Sequence, residues 1–357
     1  MRVFSPLLKR VVYPGLSRTG YFRRRKQLAP AVLTYHGLLP QGYTPRDIAL
    51  DGHLVSDRGF RAQIQLLKTR YSLIPPEQFR AWLAGGVSLP PRSVLLTCDD
   101  GLLNTLTDML PILRELDVPM LFFVTGASTR KDRSMLWYEQ LYLWLIQAKA
   151  AVELRAPWRR DPYRARGSSQ IRFLWRELMR RLSKLEEHAR AEALDAMRIQ
   201  IGISRDWQAE YSQNEPMRRR FFMLNASDVE ELGRAGITIG AHTLSHPMLS
   251  RMSGDTAYFE VSESRSRLQK LLGREVWAMA YPFGNDESVS ARDQELASRA
   301  GYECAFMNDE SSPPEQFSLP RIHVTSEMSC AELEAHLSGF HGAVRGKFLR
   351  LWAGMPA

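Results

Sequence analysis

Short apolar runs recur along the chain, and several end on a polar side chain able to do chemistry. "AVLTYH" ends on His36, "SVLLTCDD" on Asp99 and Asp100, "PMLFFVT" on Thr125 and "ITIGAH" on His242, while "VWAMAYP" brings Tyr281 before Pro282. Runs apolar on both faces predict buried parallel strands. Between them the spacing is helical. Leu102, Leu106, Met109, Leu113 and Leu116 predict a helix over 102–116. Ala257, Val261, Leu268 and Leu271 predict another over 255–272, and Phe60, Ile64 and Leu67 a third over 58–70. Such alternation predicts an α/β domain with right-handed crossovers, whose functional groups gather at the C-terminal ends of the strands.

One segment breaks the alternation. Residues 136–220 are rich in Trp, Arg and helix formers, which predicts two or more helices inserted between the third and fourth strand units, as a subdomain over the site. Trp137, Trp144, Trp158 and Trp175 have the form of sugar-stacking residues, but their helical setting favours packing. Pro313 and Pro314 mark a loop before a last strand candidate, "FSLPRIHV".

Composition narrows the picture. At 357 residues and 44% hydrophobic, the chain can bury a large core and is neither disordered nor fibrous. Its three cysteines make no disulfide framework, and Cys98 reads as strand core. The formal charge of +9 is concentrated at the start: no acidic residue precedes Asp47, while residues 1–29 hold eight basic ones, Arg2, Lys9, Arg10, Arg18, Arg23, Arg24, Arg25 and Lys26. Interleaved with Leu7, Leu8, Val11, Val12, Tyr13 and Phe22, they suit an anionic membrane surface or an anionic sugar carrier; a solvated arm is the competing reading. Lys9, Arg10 and Pro14 break up any signal-peptide core, and no apolar run is long enough to cross a bilayer. The expectation is a cytoplasmic protein with peripheral contact at the inner face of the membrane. It has three parts: a basic arm 1–29, an α/β domain 30–345 and a tail 346–357. Nucleic-acid binding accounts for the charge but for no motif. Nothing in the sequence reads on oligomeric state.

The stretch "VLLTCDDG", 94–101, sets two carboxylates at a strand end. Asp and Gly form ordinary turns; the alternative is two charges held in different directions for chemistry. "GAHTLSHPM" supplies His242 and His246, on one helical face or on a loop, since Pro247 biases His246 away from helix. Two imidazoles and one carboxylate leave a coordination position open, as a catalytic divalent-metal site requires. With one aspartate as ligand, its neighbour is left to take a proton from the attacking water.

These motifs resemble the polysaccharide deacetylase family of NodB-homology type, carbohydrate esterases that remove N- or O-acetyl groups from glycans. Thr97-Cys98-Asp99-Asp100-Gly101 resembles the family's Thr-Phe-Asp-Asp-Gly, and His242-Thr243-Leu244-Ser245-His246 its His-Ser/Thr-x-x-His. "AYPFG", 280–284, resembles the third motif. The resemblance implies a distorted (β/α)7 barrel with an inserted helical segment. It implies Asp99 as catalytic base, Asp100, His242 and His246 as metal ligands, and an oxyanion site near Tyr281 and Phe283. Cys98 replaces an aromatic residue, and Ala280 stands where the family often has an arginine that braces the base. Arg321 is the expected brace of a carboxylate, His323 the candidate general acid and His36 a residue of the substrate pocket. "LTYHG" and "LPRIHV" resemble the branch that acts on poly-N-acetylglucosamine-like chains. Zinc is the default metal, and the same ligands also suit cobalt, nickel or iron. The implied partner is a glycan or lipid-linked saccharide. A catalytically inactive glycan-binding scaffold and a hydrolase of a small amide are the alternatives.

Overall fold

A computed structural model of the protein describes residues 4–345 except 26, 28, 149 and 150. The expected tail 346–357, and Arg2 and Lys26 of the expected arm, lie outside the described residues.

The apolar runs form one sheet. In chain order the strands are β1 (Ala31–Tyr35), β2 (Ser72–Leu73), β3 (Ser93–Cys98), β4 (Leu121–Val124), β5 (Val152–Leu154), β6 (Tyr163–Ala165), β7 (Thr238–Ala241), β8 (Ala278–Ala280), β9 (Cys304–Phe306) and β10 (Ile322–His323). The path across the sheet is β10-β1-β3-β4-β7-β8-β9, with β2 added on β3 and every pairing parallel. The sheet curls because one short segment reaches both ends of this path. Leu319 bridges Phe306 of β9, and Ile322 and His323 pair with Leu33 and Thr34 of β1. The result is a distorted barrel of the expected class, with the strand C-termini gathered at one mouth.

β3 is buried at every position and β4 likewise, as parallel strands covered on both faces must be. The helices that cover them use the stripes read from the sequence. Phe60, Ile64 and Leu67 are buried in the helix Asp57–Arg70, and Ala257, Val261 and Leu268 in Gly254–Leu272. Each fully buried Leu, Ile or Phe contributes about 1.5–3 kcal/mol relative to exposure. The helix expected over 102–116 starts later, as a π-helical turn Thr105–Met109 running into Leu110–Glu115. Its first residues are committed elsewhere: Leu102 bridges Met223, and the Leu103 N–H donates to the Phe222 carbonyl at 2.8 Å.

The insertion has its own core, with Tyr142, Leu178, Tyr211 and Phe221 fully buried. It contains the helices Trp137–Gln147, Gly167–Leu182, Glu187–Ile201, Gln208–Gln213 and Glu215–Phe221. It also contains an antiparallel hairpin of β5 and β6, where only helices were expected. Three-residue strands are too short to display an alternation. Trp137, Trp144 and Trp175 are buried in packing. A buried ion cluster fastens the insertion to the barrel loops: Arg220 donates to Asp51 at 2.7 Å and to Glu139 at 2.8 Å.

The N-terminal residues do not hang free. Helical turns from Phe4 to Arg24 dock on the helix Cys330–Leu337, with Tyr13 and Phe22 packed against Ala335 and Phe340. Lys9 pairs with Glu332 at 2.8 Å. Residues 4–24 of the expected basic arm thus pack on the last helix, because Tyr13 and Phe22 have an apolar surface to cover. Among the described residues, no helix is long and apolar enough to cross a membrane.

Candidate active site

The two adjacent aspartates face different partners because the backbone turns between them. The Asp99 N–H continues the sheet by donating to the Tyr35 carbonyl at 2.9 Å. Asp100 and Gly101 then take φ of 71° and 70°, left-handed geometry that is costly for a non-glycine residue and typical of functional turns. Asp99 meets Arg321, whose Nη1 and Nη2 donate to its two carboxylate oxygens at 2.7 and 2.6 Å. The same guanidinium donates to the Thr97 hydroxyl and, through Nε, to the Met307 carbonyl. Burial alone would raise the Asp99 carboxyl, but the Arg321 charge and hydrogen bonds hold it below the ordinary range.

Asp100 meets the two histidines. Its Oδ1 lies 3.4 Å from His242 Nε2 and 3.2 Å from His246 Nε2, and one donor atom from each residue lies within 4.8 Å of the others. Burial opposes the Asp100 charge, yet the His242 and His246 contacts keep its carboxyl well below the usual range. His242 Nδ1 is fixed by the Ala280 carbonyl at 2.8 Å, which directs Nε2 toward Asp100 in the arrangement metal-binding histidines use. All three residues are buried. Ligands about 2.0–2.2 Å from a zinc-type ion stand about 3.3–3.5 Å apart in a tetrahedron, so the observed spacing and the donor chemistry both fit a divalent metal.

The histidines lie on a loop, the second of the two geometries their spacing allowed. Thr243 and His246 take φ of 57° and 59°, and braces on both sides hold that strained shape. Glu260, from the helix Gly254–Leu272, accepts the N–H groups of Leu244 and Ser245 at 2.9 and 2.8 Å. From the insertion, Arg190 donates to the Ser245 carbonyl and hydroxyl at 3.1 and 2.6 Å, and Trp137 Nε1 to the His246 carbonyl at 3.1 Å. Neither Glu260 nor Arg190 was singled out from the sequence, since each lies on the buried side of a helix whose partner is fixed only by the fold.

The other expected site residues divide. Phe283, at φ 62°, sets its ring 4.9 Å from that of His246. Tyr281 turns its side chain into the core: its hydroxyl donates to the Phe317 carbonyl, and its N–H donates to Phe306. Side chains alternate along an extended run, and Tyr281 falls on the covered face. His36 and His323 pack with ring centroids 4.8 Å apart and planes tilted by 49°. Burial and the neighbouring His36 push His323 down to about 3. His53, which lies in a turn-like stretch without periodicity, was missed; its ring is 5.4 Å from that of His36. Tyr138 of the insertion was also missed, and its ring is 5.2 Å from that of His246. Beside His246, a cavity of about 410 Å³ opens between insertion and barrel, bounded by Thr125, Trp137, Trp144, Arg190 and Trp207.

Residues 86–151 and 205–305 match the family profile described as polysaccharide deacetylase. The matched stretches include Asp99, Asp100, His242, His246 and Phe283, and omit much of the insertion. No curated protein matches the chain. Among solved structures, it is similar to the Streptococcus pyogenes deacetylase PplD in complex with acetate, with 19% identity and a TM-score of 0.53 over 85% of this chain and 96% of that one. It is similar to IcaB from Ammonifex degensii at 18% identity and a TM-score of 0.53, covering 87% and 97%. A de-N-acetylase from Aggregatibacter actinomycetemcomitans aligns at 13% identity and a TM-score of 0.51, covering 85% and 98%. At such identities the structures speak for a common fold, and the profile match ties the stretches that carry the two aspartates and the two histidines to the polysaccharide deacetylase family.

Proposed function

We propose that the protein is a metal-dependent hydrolase that removes acetyl groups from N-acetylated amino sugars of a polysaccharide or lipid-linked glycan. The observation that carries this reading is the pair of adjacent aspartates with separate duties, Asp99 locked on Arg321 and Asp100 facing two histidines. A binding-only descendant has no use for a buried, arginine-held carboxylate beside an intact Asp-His-His set.

A divalent ion held by Asp100, His242 and His246, with zinc the default, would acidify water and polarise the acetyl carbonyl. Asp99 takes the proton from the attacking water as the new C–O bond forms. Arg321 fixes the direction of that carboxylate and keeps it ionised between turnovers. Of the two expected oxyanion positions, Tyr281 has spent its N–H on the sheet, so the Phe283 backbone is assigned to the developing negative charge. Collapse of the tetrahedral adduct breaks the C–N bond, and the proton held by Asp99 passes to the departing amine, which leaves acetate and a free amino sugar. His323 is a poor proton donor at neutral pH, because burial and His36 keep its ring uncharged. We assign His323 and His36 to the wall that meets the sugar. The cavity beside His246, with the partly exposed Trp207 at its edge, supplies room and aromatic surface for a glycan.

The resemblance of PplD and of the de-N-acetylase supports acetyl hydrolysis, and IcaB is a further neighbour of that fold. The lipid-linked form of the substrate and a position at the cytoplasmic membrane face rest on the N-terminal helices. Their outer face shows Leu7 and Val11, 54% and 60% exposed, next to basic residues able to attract an anionic surface. Removing residues 1–29 would strip Tyr13 and Phe22 from their packing, so point changes are the cleaner probe. Acetate release is measured on acetamido-sugar glycolipids in anionic vesicles and on soluble acetamido-oligosaccharides, with wild type and Leu7→Ser/Val11→Ser. The reading expects release from both classes by wild type and a selective loss on vesicles in the variant. Equal vesicle activity and binding in both proteins removes the membrane part; no release from any acetamido substrate removes the deacetylase part.

A further inference from the structure

A second group of metal-binding side chains gathers where the N-terminal helices meet the last helix. Glu310 lies in the segment after β9, and His336 in the last turn of the helix Cys330–Leu337. Gly339, at φ 68°, reverses the chain after that helix and brings His341 back over His336, the two rings stacked 3.8 Å apart at 18°. Glu310 Oε2 is 2.6 Å from His336 Nδ1, and Oε1 is 3.8 Å from His341 Nε2. One donor atom from each of the three residues lies within 4.8 Å of the others. The remaining nitrogen of His341, Nδ1, is 2.9 Å from the Tyr13 hydroxyl.

An ordinary glutamate-histidine ion pair needs one imidazole. Here a second ring faces the same carboxylate, and Tyr13 fixes which of its nitrogens does so, as outer hydrogen bonds fix metal-binding histidines. A tetrahedral first-row ion needs donors about 3.3–3.5 Å apart. The 2.6 Å contact must therefore open, the 3.8 Å contact close and the stacked rings splay, so that the in-plane lone pairs of both imidazoles aim at one ion. Two imidazoles and one carboxylate suit zinc, nickel or cobalt better than the oxygen-seeking calcium or magnesium.

We propose that Glu310, His336 and His341 bind a second divalent ion of the zinc class, separate from the Asp100, His242 and His246 set. Through Tyr13 this ion reinforces the docking of the N-terminal helices on the domain. It is structural, and a ligand that binds only the folded chain stabilises it.

The test counts zinc in full-length protein by elemental analysis, after loading with zinc and gel filtration to remove the excess. Wild type is expected to hold about two ions per chain, and Glu310→Gln, His341→Ala and Asp100→Asn about one each. In the Asp100→Asn background, added zinc should raise the melting temperature, and Glu310→Gln should abolish that rise. Glutamine keeps a hydrogen-bond acceptor for His336, and circular dichroism verifies that each variant is folded. Acetate release by Glu310→Gln should match wild type under zinc saturation, which separates this proposal from the deacetylase reading. One zinc in wild type, or a count that folded Glu310→Gln and His341→Ala leave unchanged, overturns it.

Discussion

Arg321 grips Asp99 with both terminal nitrogens, at 2.7 and 2.6 Å, although the two residues are 222 positions apart. Both side chains are buried, and the guanidinium also lies over the rings of Phe123 and Phe306. Ala280 occupies the motif position where an arginine was expected, so the brace comes instead from the edge of the last strand. The same closure of the sheet that pairs β10 with β1 delivers it.

Breaking this pair should be costly in two ways. Arg321→Met leaves a buried carboxylate without its partner, a change worth about 3–5 kcal/mol, and acetate release should fall by at least about a hundredfold, the scale of losing a positioned proton acceptor. Arg321→Lys keeps the charge without the two-pronged grip and should recover only part of the activity. Kinetics on an acetamido substrate alongside thermal melts check both.

The same pair has a signed pH dependence. Arg321 holds the folded Asp99 carboxyl below its unfolded value of about 3.9. Its contribution to stability is therefore complete above that value and is lost as pH falls through the lowered folded one. The stability gap between wild type and Arg321→Met should be widest near neutrality and narrow on acidification below about pH 4. Denaturant melts across that range read it, and a gap that widens toward acid would contradict the pairing.

The insertion braces the His242–His246 loop as well as covering it. Arg190→Met removes two contacts to Ser245, and Glu260→Gln weakens the acceptor of two loop N–H groups. Each should lower metal affinity about 10–100-fold, as loss of outer support typically does. Competition against a calibrated chelator measures the shift. Affinity equal to wild type in both variants would mean that the loop holds its strained shape unaided.

Gly284 should tolerate no side chain. At φ 58°, an added Cβ would stand 2.4 Å from the Asn308 nitrogen, a backbone atom that already bonds the Gly284 carbonyl at 2.7 Å. Gly284→Ala is expected to cost about 1–3 kcal/mol and to lower activity through the neighbouring Phe283. Melting and kinetics report the two effects separately.

Much of this was legible in the sequence. Buried parallel strands are apolar on both faces, so their ends, and with them Asp99, Asp100 and His242, stand out from their surroundings. The fold class followed from the alternation and the motifs. What stayed hidden depends on contacts between distant segments. Arg321 could be assigned to a carboxylate, but which one required the closed sheet. Arg190 and Glu260 are charged residues on amphipathic helices, indistinguishable there from solvated ones. A motif gives a position along the chain and not which of its backbone groups stay free, so the bond of the Tyr281 N–H to Phe306 was invisible there. The N-terminal segment read as an arm because basic charge dominates its composition, whereas Tyr13 and Phe22 decide its docking.

The division of labour between the adjacent aspartates is the centre of the account, and one paired measurement reaches it: metal content and acetate release of Asp99→Asn and Asp100→Asn, purified side by side. Asp99→Asn should keep its metal in the Asp100, His242 and His246 site and lose nearly all turnover. Asp100→Asn should lose both the ion of that site and the activity. Full turnover by Asp99→Asn on a substrate that wild type deacetylates, or an undiminished metal count in Asp100→Asn, would contradict it.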